Sequence, residues 1–191
     1  MKLDWSDKPC VLIGGGPSLT TEQVDYAVTS DCYIMVVNNG YQICPEANAL
    51  YACEKIWWET YQPKFAGQKY SLMYGGDGVC KMNNTGIEGI ETQWPGLKTG
   101  RNGGYQALNL AVHFGCKKIL LLGYDMKFID DKKHWHKDHP KPLKNSECVK
   151  IFRKYFYDAA LILDEMNIEV INCSRQSALE CFSKADIQEV L

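Results

Sequence analysis

The sequence predicts an α/β fold in which a mostly parallel sheet is flanked by helices. Three observations carry this. Short, continuous apolar runs recur along the chain, as strands buried on both faces of a parallel sheet require. Segments with apolar residues at helical spacing fall between them. The first run feeds directly into Gly14-Gly15-Gly16-Pro17-Ser18-Leu19, a turn nearly free of side chains ahead of a helix-like stretch. Strand, glycine turn and helix in that order open a Rossmann-like layered domain.

The elements follow in order. The first strand covers 11–14, and the helix after the glycine turn covers 20–28, with Thr20 or Thr21 as its cap. The second strand covers 32–37 and ends at Asn38-Asn39-Gly40. A third strand over 49–52 leads into a helix over 54–62 carrying Ile56, Trp57 and Tyr61. A fourth strand covers 70–73. The helix over 104–114 places Tyr105, Leu108, Ala111 and Val112 at helical spacing and stops at Gly115. The strand over 118–122 is the clearest, ending at Gly123-Tyr124-Asp125. The longest helix covers 147–166, and the last strand covers 169–172. Two segments lack periodicity. Residues 75–101 are rich in Gly and Asn, and residues 127–145 are polar, with lysines at 127, 132, 133, 137, 141 and 144. Loops this long are usually functional or disordered. The second follows the strongest strand, so it emerges at the carboxyl edge of the sheet, where open α/β sheets bind ligands, and reads as a polar lid loop. The chain, 1–191, reads as a single domain.

Composition narrows the classes. Hydrophobic residues make up 46% and charged residues 23%, an ordinary globular balance. A net charge of −2 speaks against a broad nucleic-acid surface. No apolar run approaches the length of a membrane span, and the N-terminus lacks a leader-like apolar stretch. The nine cysteines contain no CxxC pair, so they read as free thiols in a reducing cytoplasm.

Several residues are candidates for chemistry. Gly14, Gly15 and Gly16 can bring backbone N–H groups to a phosphate, with the Ser18 hydroxyl beside them; the same turn also serves as a tight strand-to-helix connection. No Gly-Lys-Ser/Thr follows, so this is not a Walker loop. Asn38 and Asn39 offer amides suited to a base or ribose edge, or simply make a turn. Arg101-Asn102-Gly103 precedes a helix and forms a candidate second phosphate cradle. Asp125 ends the central strand and can orient a hydroxyl or hold a metal. Ser174 and Arg175 are placed to close over a leaving group. In His134-Trp135-His136-Lys137-Asp138-His139, imidazoles sit in the lid loop, where one can accept a proton near neutral pH. The segment also spells HxHxDH, the metal signature of the metallo-β-lactamase superfamily. That superfamily needs further histidines downstream and none follow, which argues against membership. Imidazoles and a carboxylate still suit an isolated zinc or manganese ion.

Taken together, these motifs resemble those of the Campylobacter-type bacterial sialyltransferases and the related pterin pyrophosphokinase-like proteins. Gly14–Leu19 resembles the opening GxGPSL. Val37-Asn38-Asn39 stands where the transferases carry a nucleotide-contacting Asn. Trp57-Trp58-Glu59 matches their aromatic helix, Gly103-Gly104 through Gly123-Tyr124-Asp125 their central motif, and Cys173–Leu179 their closing turn. The chain departs from the pattern at Cys53, where the family has Asn. It also has Tyr124 alone where the family places two tyrosines near the leaving phosphate. It is shorter, like compact proteins carried by prophages.

The resemblance implies a cytoplasmic transferase, in a bacterium or a phage-infected cell, that uses a nucleotide-activated donor: a CMP-sugar or similar, with the acceptor unspecified. It implies Gly15, Gly16 and Ser18 at phosphate or ribose, Asn38 at the nucleotide, Tyr124 and Arg101 at the leaving phosphate, and His139 first or His136 second as general base. No metal is obligatory in that reading, and relatives often form homo-oligomers. The alternatives are an ATP- and Mg²⁺-dependent pyrophosphokinase-like transferase, with Asp125 and Asp138 at the metal, and a non-catalytic phage nucleotide-binding protein.

Overall fold

The structure, a computed structural model, describes residues 1–76, 78–143 and 149–191. The strands and helices in chain order are β1 (Cys10–Ile13), α1 (Thr21–Thr29), β2 (Tyr33–Val37), β3 (Ala49–Tyr51), α2 (Lys55–Tyr61), β4 (Gln68–Ser71), β5 (Val79–Lys81), β6 (Asn83–Asn84), β7 (Gly96–Leu97), α3 (Gly103–His113), β8 (Lys118–Leu122), α4 (Lys150–Glu165), β9 (Glu169–Asn172), β10 (Ser183–Lys184) and α5 (Ile187–Val190). Eight strands form one sheet in the order β10-β9-β8-β1-β2-β3-β4-β5, and every neighbouring pair in it is parallel. The Rossmann-like α/β expectation holds.

The apolar runs are continuous because the sheet is covered on both sides. Along β1, Cys10 and Leu12 enter one core with the inward residues of α3 and α4, while Val11 and Ile13 enter the other with α1 and α2. All four are fully buried. Full burial of each aliphatic side chain is worth about 1.5–3 kcal/mol. The cap of α1 is Thr20, which forms a capping box with Gln23.

The structure departs from the sequence reading at the sheet edges. The fourth strand ends at Ser71, with Leu72 and Met73 beyond it. Segment 75–101 contributes the edge strand β5 and the small parallel pair β6–β7. The C-terminal region adds β10, whose two residues are both exposed. Of the predicted helix 147–166, residues 147 and 148 lie outside the described residues, as do Lys144 and Asn145 of the lid loop. No helix among the described residues is long and apolar enough to cross a membrane. Cys10, Cys44, Cys116 and Cys173 are buried free thiols.

The topology sets the site. From β1 the chain builds β2, β3, β4 and β5 to one side, then returns to place β8 on the other. The crevice at such a reversal, outside the carboxyl strand ends, is the ligand position of open α/β sheets. Here it opens between Gly14, which follows β1, and Gly123, which follows β8.

Candidate functional site

A cavity of about 350 Å³ opens at this crevice, and a smaller one of about 180 Å³ adjoins it. Asn38, Glu54, Arg101, Asn102, Gly103 and His139 line both. Gly14, Gly15, Gly16, Tyr124, Asp125 and His136 line the larger. Among the residues singled out from sequence, Ser18, Asn39, Ser174 and Arg175 stand outside both linings.

The glycine turn is tied to β8. Gly14 N–H donates to the Leu122 carbonyl at 2.7 Å and Gly16 N–H to the Gly123 carbonyl at 2.8 Å. The cradle reading therefore narrows to the Gly15 amide. A Cβ at Gly16 would run into the Asp125 carboxylate and the Gly123 carbonyl. Asp125 is buried, and it accepts from the Ser18 backbone N–H at 2.9 Å and from the Ser18 hydroxyl. Burial pushes its carboxyl above the usual range, and the two Ser18 bonds oppose this. Ser18 and Asp125 thus lock the turn to the end of β8.

Tyr124 is buried, with its hydroxyl donating to the Gly104 carbonyl at 3.1 Å and its N–H to Ser174 Oγ at 2.8 Å. A Cβ at Gly104 would sit 2.8 Å from the Tyr124 ring, so this glycine permits the close approach of α3. Burial pushes the Tyr124 phenol up, leaving a neutral hydroxyl at neutral pH. Arg175 is exposed and reaches Glu22 at 3.5 Å. Asn39 accepts from Trp57 Nε1 at 2.8 Å and secures the turn after β2.

The helix N-terminus on the cavity wall belongs to α3 rather than α1. Asn102 caps it, accepting from Gly104 N–H at 2.9 Å and Tyr105 N–H at 3.2 Å. Gly103 N–H is left as a terminal donor beside the cavity. Asn38 and Arg101 face the cavity from left-handed backbone, at φ of 49° and 54°. Such conformations cost more for Arg than for Asn and gather at functional sites.

The lid loop lies on the glycine turn. Trp135 N–H donates to the Gly15 carbonyl at 3.2 Å, and a Cβ at Gly15 would meet His134 Nδ1 at 3.4 Å. The rings of His134, His136 and His139 cluster with centroids 4.9, 5.0 and 5.4 Å apart. His136 Nδ1 donates to the Lys137 carbonyl at 2.6 Å, and His139 Nδ1 lies 2.7 Å from the Tyr61 hydroxyl. His134 Nε2 is buried with no hydrogen-bond partner among the described residues. Burial lowers the affinity of all three imidazoles for a proton, and the neighbouring rings add to this at His134 and His139. His139 is pushed down to about 4. At neutral pH these imidazoles are uncharged, with an acceptor lone pair, and the low value makes His139 a weaker base than a free imidazole. Among the described residues, no group of three or more His, Cys, Asp or Glu side chains is placed to hold a metal ion.

Sequence reasoning did not single out Glu54, and it passed over His134 in favour of its neighbours; both line the larger cavity, as do Lys127 and Lys133, two of the lid-loop lysines whose charge suits a phosphate. Glu54 follows the carboxyl end of β3, a position that would have marked it. Tyr61 is carried by α2, and nothing in the sequence shows its partnership with His139.

No protein-family model and no curated protein matches this sequence. The solved structure of the sialyltransferase CstII from Campylobacter jejuni, in complex with the substrate analogue CMP-3FNeuAc, is similar in fold. The TM-score is 0.54 at 12% identity, over 93% of this chain and 85% of that one. The two chains share a Rossmann-like α/β fold.

Proposed function

We propose that this protein is a transferase using a nucleotide-activated donor, specifically a sialyltransferase-like glycosyltransferase that takes a sugar from a CMP-sugar or similar donor. One observation carries the reading. A cluster of uncharged imidazoles sits on the glycine turn, at the wall of a cavity whose other residues include Arg101, Lys127, Lys133 and the N-terminus of α3. Proton acceptors beside cationic and N–H donors suit a hydroxyl nucleophile attacking a carbon that bears an anionic phosphate leaving group. The fold shared with a sialyltransferase solved with a CMP-sugar analogue supports the same reading.

In this account the Gly103 amide, Arg101 and the two lysines hold the donor phosphate. His139, or His136, takes the proton from the acceptor hydroxyl. The acceptor oxygen bonds to the sugar's anomeric carbon as the bond from that carbon to the phosphate oxygen breaks, and the nucleotide leaves as an anion. The Tyr124 hydroxyl reaches that charge only by giving up its bond to Gly104. Loss of general-base catalysis costs about 10²–10⁴-fold. His139→Ala should therefore lower the rate of CMP release from a CMP-sugar in the presence of acceptor by about that factor. Full turnover by the variant would defeat the assignment of His139.

A further inference from the structure

The two adjoining cavities share Arg101 and differ in their lysines. Lys127 and Lys133 line only the larger, together with Asp125, which Ser18 engages. Among the described residues the smaller has no lysine in its lining, and those it does not share are Cys53, Trp57, Gln106 and Leu143. Glu54 stands where the two meet. It occupies the N-cap position of α2, yet its side chain makes no capping bond. No ion pair or hydrogen bond engages its carboxylate among the described residues. An ionised carboxylate only accepts hydrogen bonds, and it repels phosphate. Whatever occupies this junction must therefore present donors to Glu54 and carry its negative charge toward the lysines. A nucleotide has donors of two kinds at its nucleoside end, the ribose hydroxyls and the exocyclic amino group of some bases.

We propose that Glu54 is a specificity-determining residue that accepts hydrogen bonds from the nucleoside of the donor, seating the nucleoside in the smaller cavity and its phosphate toward Lys127 and Lys133. The inference rests on the nucleotide-binding reading above. Glu54 fixes which nucleotides bind and which way round they lie, and it takes no part in the chemical step.

The test is a calorimetric titration of the wild-type protein and Glu54→Gln with CMP, 2′-deoxy-CMP and UMP, with melting temperature as the control for folding. Glu54 is exposed, so the substitution should leave the fold intact. The expected result is that Glu54→Gln weakens CMP about three- to tenfold. One selectivity should also collapse: CMP over 2′-deoxy-CMP if the ribose is read, or CMP over UMP if the amino group is read. Unchanged selectivities, or tighter binding of all three as removal of a nearby negative charge alone would give, overturn the inference while nucleotide binding stands. A wild-type protein that binds none of the three overturns the nucleotide reading itself.

Discussion

At the scale of single residues, the site depends on where a Cβ fits. Gly16 has the Asp125 carboxylate and Gly123 carbonyl against it, whereas the nearest atom to a Cβ at Gly15 is His134 Nδ1 at 3.4 Å. Gly16→Ala should therefore destabilise the protein by about 1–3 kcal/mol in urea unfolding, the usual cost of overpacking. Gly15→Ala should cost less, because its Cβ meets only the side chain of His134. Equal losses of stability in the two variants would contradict the geometry. The histidines give a prediction in pH. His139 is pushed down to about 4, below the ordinary imidazole value of about 6.5. Between those values the unfolded chain binds more protons than the folded one, so stability is full above pH ~6.5 and falls as pH drops toward 4. His139→Gln should flatten that fall in melting temperature between pH 6.5 and 4.5, and an unchanged slope would show that the ring is not held neutral by its surroundings. Much of the site was legible at this scale. Glycines, Asn38, Arg101 and the loop histidines announce themselves by residue type and by position after strand ends. Ser18, Asn39 and Ser174 have the same polar groups, but their partners are Asp125, Trp57 and Tyr124, and only the folded chain reveals that.

At the scale of elements, burial decides what the sequence discloses. The strands β1, β2 and β8 are covered on both faces and read as unbroken apolar runs. β5 and β10 lie at the sheet edges, are two or three residues long and carry Lys81 or Lys184, so no apolar pattern marks them. Segment 75–101 is opaque for a different reason: polar side chains of α3 hold it. Asn109 is fully buried; its Oδ1 accepts from the amides of Glu91 and Lys98, both at 3.0 Å, and its Nδ2 donates to the Glu91 carbonyl at 2.8 Å. The Tyr105 hydroxyl donates to the Gly89 carbonyl at 2.6 Å, and His113 Nε2 lies 2.7 Å from the Gly96 carbonyl. A segment ordered through its backbone needs no periodicity of its own. Asn109→Leu should leave those two amides without their acceptor, costing about 2–3 kcal/mol and raising hydrogen exchange across residues 91–98. Exchange that rises evenly over the whole sheet would argue against Asn109 as the local anchor.

At the scale of the whole molecule, the topological reversal beside β1 brings together groups from distant parts of the chain. The glycine turn, the cap of α3 and the lid-loop imidazoles meet at one crevice, although Gly14 and His139 stand at opposite ends of that stretch of chain. The central claim is that this crevice binds a nucleotide. The most direct measurement is the melting temperature with CMP and with ATP, each with and without Mg²⁺. A ligand at a hundredfold its dissociation constant adds about 2.7 kcal/mol, which for a domain of this size raises the melting temperature by about 5–10 °C. The account predicts a rise of that order with CMP, the same with and without Mg²⁺. No rise with CMP, or a rise only with ATP and Mg²⁺ together, would contradict it.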